Sequence, residues 1–476
     1  MQPLYFDVTD VVKFATSHPR VSGIQRVQLN LIAQMARRYG PGAIRCVFLH
    51  PTTQQLHAFE PEGVIDESFE TGALLRRLGV IKPGSRWPDP ASVREYLRPM
   101  SNRKAMRTWA KISVYLNALF LPDRLSRKGI ELPSAQQRAI RPVALAPLES
   151  VPHDATLVLL GTNWGFRRVE QLAQEHAQRG GHLVQMIYDL IPVVTPQFMT
   201  AGLTRDFAGW LERVSRYSKH FLCISSHTQA DLLRHLGERG TGVQTQVVPL
   251  AHEMHGFDRD SRILIPEGKT TDAAAMPYVL CVGTIEIRKN GTALLDAWAA
   301  LHNTLGERLP RLVFAGRMGW LIEAFQARLA ANPVLARLVR LVESPSDEEL
   351  AYLYQNCLFT AYPSLYEGWG LPVGEAAWFG KYCISSNTSS LPEVCGDLID
   401  YVDPTDPAAF ESALLKAMTQ PDYVAQREKG LREATLRTWA DVAEDLYQSV
   451  RLTQPPHLQD RATADSAMRP LSRREV

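Results

Sequence analysis

The sequence predicts two doubly wound α/β domains that face each other across a cleft. Three observations carry this. Apolar runs of strand length alternate with amphipathic runs of helix length. The alternation occurs twice, on either side of a polar, small-residue stretch, PEGKTTDAAAMP (266–277). The 476 residues suffice for two sizeable cores.

In the first half, expected strands are 3–8, 44–50, 156–161, 182–189, 220–225 and 246–251. Helices are expected between them, at Gln25 to Arg38, Val169 to Arg179 and His227 to Leu236. Strands resume in the second half at 278–284, 311–316, 339–344, 358–364 and 382–386. The expected domains are therefore 1–265 and 278–420, with the linker at 266–277. An insertion from about 59 to 152 interrupts the first domain, and a tail after Leu452, residues 453–476, is expected to be disordered.

Composition narrows the function. Hydrophobic residues at 45% and charged residues at 21% describe an ordinary globular protein. Lys plus Arg number 52 against 50 acids, so no global charge draws the chain to nucleic acid. The six cysteines are widely spaced, without C-x-x-C pairs, and read as buried thiols with no metal expected. Asp7 and Asp10 interrupt any signal peptide, and no apolar run is long enough to span a bilayer, so a cytoplasmic location is expected.

Local charge is different. Residues 94–141 carry eleven basic side chains against three acids. This region reads in two ways: a solvated helical hairpin with Trp109, Tyr115 and Phe120 packed inward, or a basic amphipathic helix over 103–121 lying on an anionic membrane surface.

The most informative segment is YPSLYEGWGLPVGEAAW. A strand ends near Ser364, Gly368 and Gly370 let the backbone approach a ligand, and a helix is expected from Leu371. Glu367 and Glu375 flank that turn. A second opening, VGTIEIRKN, places Gly283 and Thr284 at a strand end and Arg288 and Lys289 just beyond, and a third sets Gly316 beside Arg317. Cations and helix N-termini suit a diphosphate, and the two carboxylates suit hydroxyls of a ribose and a sugar, so the expected ligand is a nucleotide sugar.

Upstream, Gly23 and Arg26 sit at a strand-to-helix crossing, and Tyr188 and Asp189 at a strand exit; these are candidate acceptor contacts. Trp164 reads equally as core or as a sugar platform.

EGWGLPVGE, the RKN after a strand-ending glycine, and SSLPEV (389–394) followed by GD and YVDP together resemble the retaining GT-B glycosyltransferases of family 4. The upstream Gly-Ile-Gln-Arg, YDLIPVVTP and CISSHTQADL are most similar to the branch that builds bacterial surface polysaccharides, often from mannosyl donors. The resemblance implies a GT-B fold with acceptor bound by the first domain and donor by the second, and helices at 421–452 crossing back to the first domain. It implies transfer from GDP-mannose or a UDP-sugar to a growing glycan, lipid-linked at the inner membrane face, with no cofactor. Glu375 would hold the ribose, Glu367 would lie near the donor sugar, and Lys289 would meet the diphosphate, with Arg288 or Arg317 sharing that work. Thr284 stands where many members have arginine, and Tyr188 where many have histidine. The rivals are an epimerase or phosphorylase of the same fold, and a non-catalytic assembly subunit.

Overall fold

The computed structural model describes residues 3–18, 21, 23–65, 69–97, 100, 104–121, 124–125, 130, 132–264, 269–455 and 458. Two sheets organise it. The first runs β4-β3-β2-β1-β5-β6-β7-β8, comprising β1 (Leu4–Asp7), β2 (Ile44–Leu49), β3 (Leu56–Phe59), β4 (Ala146–Leu148), β5 (Thr156–Leu159), β6 (His182–Ile187), β7 (His220–Cys223) and β8 (Gln244–Val247). The second runs β11-β10-β9-β12-β13-β14, comprising β9 (Tyr278–Val282), β10 (Arg311–Gly316), β11 (Val339–Glu343), β12 (Thr360–Tyr362), β13 (Cys383–Ser386) and β14 (Asp400–Val402).

The second sheet is wholly parallel, and its central strands are apolar because helices cover both faces. The first sheet differs from expectation at one edge. There β3 pairs antiparallel with β2, and β4 antiparallel with β3, so the insertion returns a strand to the sheet. Short length hid both strands, and Pro147 marks β4 as an edge. The last strand of this sheet begins earlier than expected and stops at Val247, ahead of Pro249, which has no N–H for the ladder.

A helix Ile24–Tyr39 follows Gly23, and the helix Trp439–Leu452 lies against it. Tyr39 stacks on Tyr447 with ring centroids 3.7 Å apart, and its hydroxyl donates to Glu444 at 2.6 Å. A capping box of Thr438 and Asp441 starts the later helix. Arg259, between the sheets, donates to the carbonyls of Trp378, Leu431 and Ala434, which ties the crossover to the second lobe. All six cysteines are free and buried.

Part of the expected linker is tied down. Lys269–Ala273 is helical, Ala273 is buried, and Thr270 donates to Glu349 at 2.8 Å. Of the expected disordered tail, most lies outside the described residues, but Gln454 donates to Thr156 at 2.7 Å and Leu458 is buried.

The insertion includes helices Thr71–Arg77, Pro90–Leu97, Lys104–Phe120 and Ala135–Ala139; the second and third enclose a small core of Val93, Leu97, Val114, Leu125 and Ile130, while Leu74 and Leu75 of the first join the main core. The inward packing expected of its aromatics does not occur. Ala110, Val114 and Ala118, four residues apart, take the inner face, so Trp109 stands 73% exposed and Tyr115 is exposed, edge-on to Trp87. The Phe120 side chain lies outside the described residues. No described helix is long and apolar enough to cross a membrane.

Candidate functional site

The carboxyl ends of β9, β10 and β12 meet where the strand order of the second sheet reverses, the place where such sheets bind ligands. Glycine permits this convergence. A Cβ on Gly316 would run into the Gly283 carbonyl oxygen, so only a residue without one lets β9 and β10 end side by side.

Beyond β9, Ile287–Lys289 forms a single 3-10 turn, and Asn290, in the left-handed region at φ +53°, leads into the helix Gly291–Leu305. That turn aims Lys289 back over the strand ends. Its ammonium donates to Tyr362 Oη at 2.5 Å and to Glu367 Oε1. Glu367 Oε1 also accepts from Ser364 Oγ at 2.6 Å and Tyr362 Oη at 2.9 Å. The backbone of Glu367 is pinned by SSLPEV: its N–H donates to Ser389 Oγ at 2.8 Å, and its carbonyl accepts from Ser390 Oγ at 2.9 Å.

Burial alone would raise the Glu367 carboxyl, but Arg288 and Lys289 outweigh it and pull it down to about 2. Glu367 is therefore a carboxylate at every working pH. Arg288 does not reach the cleft as expected. Its Nη1 sits 2.7 Å from Glu367 Oε2, its Nη2 donates to Glu286 Oε1 at 2.6 Å, and it also donates to the Tyr366 carbonyl, so it stands behind Glu367. Buried Glu286, absent from the sequence-based expectations, is the cause: a guanidinium between two carboxylates is held by both.

Glu375 lies in the helix Leu371–Trp378, which opens at Gly370. Tyr354, from the helix Asp347–Asn356, donates to Glu375 Oε2 at 2.9 Å. Here burial prevails over Arg26 and Tyr354 and pushes the carboxyl up to about 7. Two glutamates eight positions apart thus differ in character: one is permanently charged, the other poised near neutrality.

A cleft of about 1470 Å³ separates the lobes. Gly283, Thr284, Lys289, Gly316, Arg317, Glu367, Gly368, Gly370, Leu371 and Glu375 line it from the second lobe. Gly23, Arg26, Tyr188 and Asp189 line it from the first. The cleft continues to Arg94 and Arg107 of the insertion.

The upstream residues have specific roles in the fold. Asp189 Oδ1 accepts from the Ile191 N–H at 3.0 Å, shaping the strand exit, and burial raises its carboxyl against the pull of Arg288. The Tyr188 carbonyl accepts from Thr228 Oγ1 at 3.3 Å, while its hydroxyl is buried without a hydrogen-bond partner among the described residues. Arg26 reaches across the cleft and pairs with Asp347 of the second lobe. Trp164 packs edge-on against Phe207 and Trp210, and so belongs to the core.

Contacts between the lobes were not foreseen from sequence. The Trp320 indole N–H donates to the Phe198 carbonyl at 2.8 Å, and His227 Nε2 meets Tyr366 Oη at 2.8 Å. His227 and Tyr366 lie in informative segments of the sequence, but nothing in their spacing says that they meet.

Residues 269–434 match the family described as glycosyl transferases group 1. The O-antigen chain mannosyltransferase B of Escherichia coli is 27% identical over 270 residues, which cover 56% of this chain and 70% of that protein. A serotype-specific mannosyltransferase WbdA of Escherichia coli is 28% identical over 277 residues, 57% of this chain but 34% of that longer protein. Among solved structures, a sucrose-phosphate synthase from Thermosynechococcus elongatus superposes with a TM-score of 0.55 at 16% identity, over 95% of this chain and 99% of that one. Residues 269–434 are thus a glycosyltransferase domain of group 1, and the chain that carries them has the GT-B fold.

Proposed function

We propose that this protein transfers a sugar, with retention of configuration, from a nucleoside diphosphate sugar to a growing glycan. The observation that carries the reading is the placement of Lys289, Glu367 and Glu375 on one wall of the cleft, at the switch point of the second sheet. In this reading Glu375 accepts the ribose hydroxyls and Glu367 faces the donor sugar. Lys289 and the N-terminal end of the helix Leu371–Trp378 meet the diphosphate.

Cleavage at the anomeric carbon leaves negative charge on the departing diphosphate. A preorganised ammonium and backbone dipoles lower that barrier, the more so once closure of the lobes excludes water, so the reading assigns the work to protein groups and to no metal. Lys289 already bridges Glu367 and Tyr362, so it needs little reorganisation to hold an incoming phosphate.

The mannosyltransferase relatives favour GDP-mannose over a UDP-sugar as donor and a bacterial surface polysaccharide as product. A lipid-linked acceptor at the cytoplasmic membrane face fits the insertion. There Met106, Trp109, Ile112 and Leu116 are exposed beside Arg107 and Lys111, a surface suited to an anionic bilayer, and the cleft reaches it at Arg107.

A thermal-shift screen with GDP-mannose and UDP-sugars tests the donor. A ligand at about 100 times its Kd stabilises by about 2.7 kcal/mol, and no response to any of them overturns the reading. Product analysis by NMR then decides the reaction. Donor turned over without acceptor indicates an epimerase, turnover that requires free phosphate a phosphorylase, and an α-linked product from an α-donor the proposed transfer.

A further inference from the structure

Arg26, a candidate acceptor contact that lines the cleft, is also placed for another role. Gly23, at φ +54°, turns the chain into the helix Ile24–Tyr39, and Arg26 leaves the first turn of that helix toward the opposite lobe. Its guanidinium pairs with Asp347, the first residue of the helix Asp347–Asn356. The same helix carries Tyr354, whose hydroxyl holds Glu375. Arg26 is only 17% exposed, and its charge acts on Glu375 as well as on Asp347.

An exposed ion pair contributes little to stability, which gives no reason to bury an arginine in a cleft wall. A partly buried guanidinium beside a buried carboxyl is different, because opposite charge determines whether that carboxyl ionises. The charged and titratable groups around Glu375 are few. Arg26 comes from the first lobe; Asp347, which opposes ionisation, and Tyr354 come from the facing helix. His252, whose backbone lies against Gly374, turns its ring to the Val394 carbonyl, and burial lowers the pKa of His255, which lies near Arg26 and Asp347.

We propose that Arg26 is a positioning residue for Glu375: it carries a guanidinium from the first lobe into the donor pocket of the second, so that the pocket is completed only when the lobes close. A charged carboxylate accepts two ribose hydroxyls strongly, whereas a protonated one gives up part of its accepting capacity to its own proton. Closure and donor grip are thereby coupled through one side chain. The inference rests on the donor reading of Glu375 given above.

Two measurements separate the two ideas. The first needs no ligand: thermal unfolding of wild type, Arg26→Gln, Glu375→Gln and the double variant at pH 8. Arg26→Gln is expected to lower the melting temperature in the wild-type background and to have little effect once Glu375 is neutral. Additive effects overturn the inference and leave the donor reading standing.

The second is calorimetric titration with GDP and with UDP from pH 6 to 8.5. Arg26→Gln is expected to move the acid limb of affinity up by about one pH unit, a loss of about tenfold on that limb, with affinity recovering as pH rises. Arg26→Lys is expected to restore part of the loss. Weakened binding with an unmoved limb overturns the inference, since Arg26 then touches the nucleotide directly. Coupling in the unfolding cycle with no nucleotide bound by wild type overturns the donor reading and the positioning role with it.

Discussion

Glu393, in the second lobe, caps a helix of the first through Ser226: its Oε2 accepts from the Ser226 N–H at 2.7 Å, and its Oε1 from the His227 N–H at 2.8 Å. The helix Ser226–Leu236 already has Ser225 as its own N-cap, so the foreign carboxylate satisfies further donors of the first turn and complements the dipole. The SSLPEV segment thus does two jobs, since Ser389 and Ser390 hold the backbone of Glu367 while Glu393 fastens the lobes.

Removing that clasp leaves the lobes freer to separate. Glu393→Ala is expected to cost about 1 kcal/mol and to enlarge the radius of gyration of the free protein in small-angle scattering. An unchanged radius together with unchanged stability would show that the cap does not hold the lobes.

Gly368 packs directly on the first lobe, where a Cβ would run into the Tyr188 carbonyl oxygen and crowd Asp189. Gly368→Ala is therefore expected to prop the cleft open. Turnover should fall at least about tenfold, the loss expected when closure no longer aligns donor and acceptor. Steady-state kinetics beside a nucleotide titration checks this, because donor affinity should fall less than turnover.

Lys289 and Glu367 form a buried pair whose members depend on each other. If the ammonium meets the leaving diphosphate, Lys289→Ala should lower turnover by about 10²–10³, the range for removing one preorganised charge-stabilising donor. Since Glu367 sits at about 2, it contributes no titration of its own between pH 5 and 9, but its charge holds the Lys289 ammonium against burial, so Glu367→Gln should reduce activity and move the alkaline limb of the pH profile to lower pH.

Glu375 should affect stability with the opposite sign from a typical paired carboxylate. Its folded value, about 7, lies above the ordinary 4.5, so between those values the folded state holds more protons than the unfolded chain. Stability contributed by this group is full below pH 4.5 and is lost as pH rises through 7. Glu375→Gln should abolish that loss and stabilise the protein at pH 8 relative to pH 5, by up to about 3 kcal/mol. Melting curves across that range, compared with wild type, are the check.

Trp109 projects from the insertion into solvent and makes little contribution to the core. Trp109→Glu is accordingly expected to leave the melting temperature within experimental scatter. It should reduce co-sedimentation with vesicles of phosphatidylglycerol and phosphatidylcholine, while wild type binds these more than vesicles of phosphatidylcholine alone. Equal recovery of both proteins with both vesicles would refute the membrane contact.

Local pattern determined much of this molecule. The alternation of buried strands with amphipathic helices is written in residues a few positions apart, so both doubly wound sheets and the turn after β12 are legible without coordinates, while the short strands β3, β4 and β14 are not. The pairing of Glu367 with Glu375 is similarly legible, because a glycine-rich turn and a helix start leave a local signature. What tertiary structure alone decided is where charges find each other. Glu286 removes Arg288 from the cleft, Arg26 crosses to Asp347, Glu393 caps a helix more than 160 positions away, and Trp109 faces solvent because three small residues claimed the inner face. Electrostatic energy depends on distance in space and on burial, and neither is encoded in the spacing along a chain.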